Sequence, residues 1–389
     1  MKIVHLCLAN FYVEGFGYQE NLIPKYNKKD GHEVTIIASR FTYNKNNGAP
    51  DLTQPGEYIN ADGIKVIRID YKYKFFKKIS KRLRIYCNTY EVLKKEKPDI
   101  IFIHGTQFWD IRDAIKYKIN CPDVKIFADN HADYINSARN ILSKYVLHKI
   151  IWKSGIEKLM SYCEKIFGVT PIRCDFLINM YNVPKEKVEL LVMGANSEKI
   201  DFCCKDEIRS KIRRELDIGD NDFVLITGGK IDRRKNIHNL IDAVNKIGNY
   251  NIKLIVFGTV TDEMKNIIED ISLTPFIRNV GWIHADDVYK YYIASDLAIF
   301  PGTHSVLWEQ AVGTGIPCIF KKWEGMTHVD VGGNCKFIYD GSVKEIEDMI
   351  NSIYSNSKEY KKMKMVALER GVPYFSYEEI SRRAIGGNK

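Results

Sequence analysis

The stretch Gly228-Gly229-Lys230-Ile231-Asp232-Arg233-Arg234-Lys235-Asn236 joins two glycines to four cationic side chains, between an apolar run and an amphipathic one. A glycine-rich turn that feeds a helix N-terminus presents free N–H groups at the positive end of the helix dipole, and both favour phosphate. The four basic residues add point charges. A basic loop of this kind is often plain solvated surface. Its place at the carboxyl end of a strand favours the functional reading, because ligands of doubly wound sheets bind there. The second turn of interest runs from Phe300-Pro301-Gly302-Thr303-His304 through Ser305-Val306-Leu307-Trp308-Glu309 to Gly315-Ile316-Pro317. A strand ends, a loop of Gly, Thr and Ser follows, and a helix is expected from about Val306. The N–H groups of Ser305, Val306 and Leu307 would make another anion site. Glu309, in the first turn, can accept hydrogen bonds from a ribose diol, although a first-turn Glu commonly does no more than complement the dipole.

Fewer residues of the first half invite chemistry. His131, in Asp129-Asn130-His131-Ala132-Asp133, and His104, before Gly105, each follow an apolar run. A structural hydrogen-bonding role is the default for such a His, with proton chemistry the alternative. Gly15 and Gly17 would let backbone approach a ligand without a Cβ in the way, or would make an ordinary tight turn. From Lys72 to Arg84 there are seven basic residues with aromatics between them. Ile79, Leu83, Tyr86, Tyr90 and Leu93 recur at helical spacing and are expected to face a core, which leaves the cations outside. Such a cluster suits an anionic membrane surface, and a solvated face is the commoner explanation.

These residues need scaffolds to hold them. Short, nearly continuous apolar runs are expected as buried parallel strands at Lys2–Leu8, Glu33–Ala38, Ile64–Ile69, Asp99–Ile103, Val124–Ala128, Lys165–Val169 and Val188–Val192. Helical patterns lie between them, at Tyr18–Lys29, Ile79–Lys95 and Ile135–Ser161. The second half repeats the scheme, with strands at Phe223–Thr227, Ile252–Phe257, Arg278–Trp282, Leu297–Phe300, Pro317–Phe320 and Cys335–Ile338. Helices are expected there at Asn236–Ile247, Asp262–Ile271, Asp286–Ala294 and Lys344–Tyr354. Two α/β domains with parallel sheets follow, meeting at the turn-rich Gly194-Ala195-Asn196-Ser197. Residues 1–198 form the first and 199–374 the second. Ser376, with Glu379 three residues on, reads as a capping box that starts one more helix within 375–389.

Composition agrees with a folded chain of two domains: 389 residues, 45% hydrophobic and 28% charged. No apolar run reaches the ~20 residues of a membrane span, and the N-terminus reads as a strand rather than a signal peptide. The nine cysteines form no framework and no Cys/His cluster has zinc spacing, so reduced thiols and a cytoplasmic location are expected. The net charge of +9 fits nucleic acid, anionic membrane or a phosphorylated substrate.

Taken together, Gly-Gly-Lys-x4-Lys-Asn, the strand-turn Val280-Gly281-Trp282-Ile283 and Glu-x-Ala-x-x-x-Gly-x-Pro resemble the retaining glycosyltransferases of family 4, which have the GT-B fold. Gly15-Phe16-Gly17, Gly31-His32-Glu33-Val34-Thr35 and the ending Phe375-Ser376-Tyr377 carry the likeness over nearly the whole chain. The resemblance implies two Rossmann-like domains whose parallel sheets face a cleft, with the terminal helix crossing back to the first domain. It implies a nucleoside diphosphate sugar as substrate, no cofactor and no metal, and a saccharide or lipid-linked acceptor. Lys230 and Lys235 match the residues that grip the donor diphosphate, with Lys230 standing where the family usually has Arg. Ile283 would contact the base and Glu309 the ribose. Gly17, Gly229 and the 304–307 turn would also line the donor site. His131 matches a His that meets the donor sugar or the acceptor. Gly15, His104 and Asp133 would sit on the acceptor side. One departure stands out: Pro301 lies eight residues before Glu309, where the family has a Glu that touches the donor sugar, and His304 is the nearest stand-in.

Transfer of a sugar from a UDP-sugar, with retention, in assembly of a bacterial surface polysaccharide is the expected function. A location on the inner face of the membrane fits it. A sugar-nucleotide epimerase would need cleft carboxylates, for which Asp129 and Asp133 are available. A nicotinamide dehydrogenase would rest on an incomplete glycine fingerprint. A sugar-nucleotide-binding homologue without turnover would fit the missing Glu. No groove-reading helix or aromatic platform points to nucleic acid.

Overall fold

The computed structural model describes residues 1–44, 49–73, 77–138 and 140–387. The chain divides into two units, Met1–Val192 with Ile380–Lys389, and Met193–Glu379.

In unit 1 an eight-stranded sheet runs in the order Val188–Leu190, Lys165–Gly168, Lys125–Asn130, Ile100–Ile103, Lys2–Cys7, Glu33–Ser39, Lys65–Ile69, Gly56–Ile59. All pairings are parallel except the last, an antiparallel edge. That edge strand and the small hairpin of Phe41–Tyr43 with Pro50–Leu52 carry too few apolar residues to be foreseen. Side chains of one strand alternate between the faces. Ile37 joins one apolar cluster, while Ile36 and Ala38 join another.

Two expected helices differ. The pattern over Ile79–Lys95 is broken into Lys77–Leu83 and Thr89–Glu96, because Arg84 and Asn88 both adopt left-handed backbone, φ 52° and 60°. The break turns Ile79 out to solvent, 52% exposed, while Tyr86 and Leu93 stay in the core. Residues 74–76 of the basic segment lie outside the described residues. The pattern over Ile135–Ser161 becomes a chain of turns, then a π-helix over Leu142–Trp152 and an α-helix over Lys153–Met160; residue 139 also lies outside the description.

Unit 2 holds six parallel strands in the order Ile277–Gly281, Ile252–Val260, Phe223–Ile231, Leu297–Phe300, Cys318–Lys321, Cys335–Ile338. Numbered by sequence within the unit this is 3-2-1-4-5-6, the order of dinucleotide-binding sheets. The chain returns to unit 1 at Ile380. There the carbonyl of Ser381 accepts from Asn27, and Arg382 pairs with Asp30. Ser376 caps the last helix, Tyr377–Ala384, through the N–H of Glu378 rather than Glu379. Among the described residues no helix is long and apolar enough to cross a membrane, and no disulfide joins the cysteines.

Candidate functional site

The strand order of unit 2 reverses between Phe223–Ile231 and Leu297–Phe300, and loops beyond the carboxyl ends of two strands diverging this way leave a crevice. Both motif turns follow these two strands. The first strand is longer than expected and includes Gly228, Gly229 and Lys230. Its end lies so close to the neighbouring strand that a Cβ on Gly258 would stand 1.8 Å from the carbonyl oxygen of Gly229. After it, residues Arg233–Lys235 form one tight turn, and Asn236 in left-handed conformation opens the helix Ile237–Ile247. The N–H groups of Arg234 and Lys235 are taken by the Asp232 carboxylate, at 3.0 and 3.2 Å. The backbone of this turn is therefore not the open phosphate nest anticipated; its cations remain.

Lys230 is exposed at the strand end. Lys235 Nζ reaches across to the other turn and donates to the carbonyls of Thr303 and His304, at 2.7 and 3.1 Å. One of its three N–H donors is left over. Burial pulls its pKa down to about 8. The two turns touch through backbone as well. Thr303 N–H donates to Arg234, and a Cβ on Gly302 would meet the Arg234 carbonyl at 2.3 Å. Only glycine fits there, and it brings the loop against the basic turn.

Ser305, Val306 and Leu307 precede and begin the helix Leu307–Gly313, and their N–H groups donate to no backbone carbonyl of the described residues. Glu309 is completely buried. Its Oε1 accepts from His304 Nε2 at 2.7 Å and from His328 Nε2 at 2.9 Å, while its Oε2 is buried without a partner. Burial alone would push this carboxyl up, but the two imidazoles outweigh it and hold Glu309 well below the usual carboxylate range. An unsatisfied buried carboxylate oxygen costs free energy unless a ligand's hydroxyl meets it. His304 spends its Nε2 on Glu309 and so positions that carboxylate. His304, Glu309 and His328 also have ligand atoms within 4.8 Å of one another and are of metal-binding type. Here the shared oxygen is bridged by two N–H donors. His328 was missed: it is a lone His nineteen residues from Glu309, and nothing in its neighbours sets it apart. Ile283 follows the strand Ile277–Gly281, two places along the sheet from the glycine strand.

In unit 1 the strand order reverses between Lys2–Cys7 and Ile100–Ile103. His131 Nε2 lies 3.5 Å from Asp129 Oδ2. Burial works against its proton, yet Asp129 outweighs that and raises the His131 pKa. The same Asp129 oxygen faces His104 Nδ1 at 3.3 Å, and His104 Nε2 meets His5 Nδ1 at 3.1 Å. Burial and His104 hold His5 well below the ordinary imidazole value. His104, expected on the acceptor side, is fully buried against Asp129. Asp133, expected there too, is buried as well. Its Oδ1 takes the N–H groups of Ile135 and Asn136 and its Oδ2 pairs with Arg173 at 3.2 Å, so it anchors its own loop. Gly15 has φ 80°, in the left-handed region that favours glycine, and a Cβ on Gly17 would meet nothing within 4 Å.

A doubly wound nucleotide-binding sheet in unit 2, a second α/β sheet in unit 1 and a return of the C-terminus to unit 1 define a GT-B protein. The solved glycosyltransferase of Rickettsia africae superposes with a TM-score of 0.70 at 16% identity, over 98% of this chain and 96% of its own. Residues 208–370 match the family model of glycosyl transferases group 1. Relatives of the chain include an uncharacterized glycosyltransferase of Methanocaldococcus jannaschii, 22% identical over 77% of this chain and 75% of the relative. Another is the Escherichia coli UDP-Gal:alpha-D-GlcNAc-diphosphoundecaprenol alpha-1,3-galactosyltransferase, 23% identical over 69% of this chain and 68% of the relative.

Proposed function

We propose that this chain is a retaining, family 4 transferase that moves a hexose from a UDP-sugar to a saccharide or lipid-linked acceptor, in assembly of a bacterial surface glycan at the inner face of the membrane. The observation that carries this reading is Glu309: a buried carboxylate with one oxygen held by two imidazoles and the other without a partner. That is what a ribose diol needs. The relative that takes UDP-Gal and a diphosphoundecaprenol-linked sugar supports the choice of donor and acceptor class.

In the proposed step the acceptor oxygen bonds to the anomeric carbon as the bond from that carbon to the β-phosphate oxygen breaks. The acceptor proton passes to the β-phosphate, and UDP leaves. Charge grows on the diphosphate, and Lys230, the spare donor of Lys235 and the free N–H groups of 305–307 would stabilise it. These cations supply what a metal would supply elsewhere, so the reading takes none. His131, carrying a proton more readily than a free imidazole, would sit by the transferred sugar. The test is a screen of nucleoside diphosphate sugars by thermal shift, followed by release of the nucleoside diphosphate with acceptor present. A UDP-sugar should raise the melting temperature. Lys235→Ala should lower turnover about 100-fold or more with the fold intact. Near-normal turnover of that variant, or loss of turnover on chelation, would overturn the reading.

A further inference from the structure

Two imidazoles meet one buried carboxylate in unit 2. His304 Nε2 lies 2.7 Å and His328 Nε2 2.9 Å from the same oxygen of Glu309. The side chains come from three segments: the loop after Leu297–Phe300, the helix Leu307–Gly313, and the loop between Cys318–Lys321 and Cys335–Ile338. Among the described residues this is the one group of three metal-binding side chains whose ligand atoms all lie within 4.8 Å of one another.

Two imidazole nitrogens and a carboxylate oxygen are the donor set of a three-ligand zinc site with its fourth position open. Ligands about 2.0–2.1 Å from a tetrahedral centre stand roughly 3.3 Å apart, so each imidazole would draw back from the oxygen by about half an ångström. Burial opposes ionisation of Glu309, but the two imidazoles outweigh it and hold the carboxyl well below its usual range. No proton has to leave it when a cation arrives. Its second oxygen is buried without a partner. Asp129 of unit 1 makes the contrast: it also faces two imidazoles, but its other oxygen accepts the N–H of Gly105 at 2.7 Å. Glu309 has coordinating capacity that the chain itself leaves unused.

The donors are also held in place by their surroundings. Lys235 grips the His304 carbonyl at 3.1 Å, and the His304 ring stands edge-on to Trp308 with 5.2 Å between centroids. Trp323, in the loop that carries His328, donates to the Gly302 carbonyl at 3.0 Å and ties that loop to the one before His304. Ligand groups fixed beforehand lose little freedom on binding.

We propose that His304, Glu309 and His328 form a binding site for Zn²⁺, and that the bound ion shuts the carboxylate to a nucleoside. The second half rests on the ribose role of Glu309 given above; the first half does not. Zinc is then an inhibitor and not a cofactor. Imidazole selects it over Mg²⁺, which takes oxygen ligands and keeps its waters.

The test uses the full chain with Cys203→Ser and Cys204→Ser, because these adjacent thiols are exposed and thiolates bind zinc themselves. Co²⁺ is added first and read by visible absorption, and Zn²⁺ is then titrated against it. One equivalent of Co²⁺ should give the strong bands of a four-coordinate ion without a thiolate charge-transfer band. Zn²⁺ should displace it and Mg²⁺ should not. His304→Gln and His328→Gln keep an N–H donor for Glu309 but lose a metal ligand. Each should weaken Zn²⁺ binding at least about 100-fold, the upper range for residues that merely orient a ligand. Melting without metal checks that each variant is folded; His304, the more exposed at 12% against 2%, carries the test if His328→Gln is not. Uridine has the ribose diol and no phosphate to chelate the ion, and its affinity in calorimetric titration should fall about tenfold or more once Zn²⁺ is bound. Only the weak bands of hydrated Co²⁺, or Zn²⁺ binding as tight in the glutamine variants as in their parent, would overturn the inference and leave the functional reading untouched. Zn²⁺ held by these residues with uridine affinity unchanged would overturn the exclusion of the nucleoside, and the ribose role of Glu309 with it, while the metal site stood.

Discussion

His328 is a residue whose importance only contact reveals. It donates to the same oxygen of Glu309 as His304 does, and so leaves Oε2 as the one oxygen for a ligand. His328→Leu should weaken UDP binding about tenfold in calorimetric titration, the worth of one hydrogen bond to a charged group. His328→Gln, which keeps an N–H donor, should recover most of it; equal weakening by both would mean that packing, not the bond, matters. Lys235 makes binding pH-dependent. Its pKa of about 8 is below the ordinary lysine value, so the free protein loses this charge as pH rises through about 8, and a bound diphosphate favours the charged form. UDP affinity should therefore fall from about pH 7 to about pH 9, and Lys235→Arg, which stays charged, should flatten that fall. Affinity unchanged over this range would place Lys235 away from the diphosphate. The placement of Lys230, Lys235 and Glu309 at the two strand-to-helix turns was readable from type and spacing. The partners that set their state were not: Asp232 takes the backbone donors, two carbonyls take the lysine, and two imidazoles take the carboxylate.

At the scale of elements, the site depends on two loops held in contact. Gly302 permits it, since any Cβ there would lie 2.3 Å from the Arg234 carbonyl. Gly302→Ala should therefore cost about 1–3 kcal/mol in denaturant unfolding and lower UDP affinity with it. A variant as stable and as tight-binding as wild type would show that the loops are not coupled. The strands of both units were legible because β-branched apolar runs buried on both faces have few other fates. The helix over Ile79–Lys95 was not. Its apolar spacing is sound, but Arg84 and Asn88 take left-handed backbone, and tertiary contacts override the periodicity. Arg84 reaches the Gln107 carbonyl, and the backbone N–H of Tyr86 binds Asp110.

For the whole molecule, the last residues decide how unit 1 is finished. Ile380 is fully buried, in a segment that supplies hydrogen bonds to Asn27 and Asp30 at the other end of the chain. Ile380→Ala should destabilise by about 2–5 kcal/mol in calorimetric melting, as a core truncation does; a loss below about 0.5 kcal/mol, the range of surface substitutions, would show the segment to be only loosely attached. By itself the sequence determined two α/β sheets and the site of each motif at a strand end, because hydrophobic period, glycine turns and charge are local properties. Only the tertiary structure decided that His104 and Asp133 are buried and that His328 joins Glu309. Those are relations between residues far apart in sequence, and burial with pairing, rather than residue type, fixes what a charged group does.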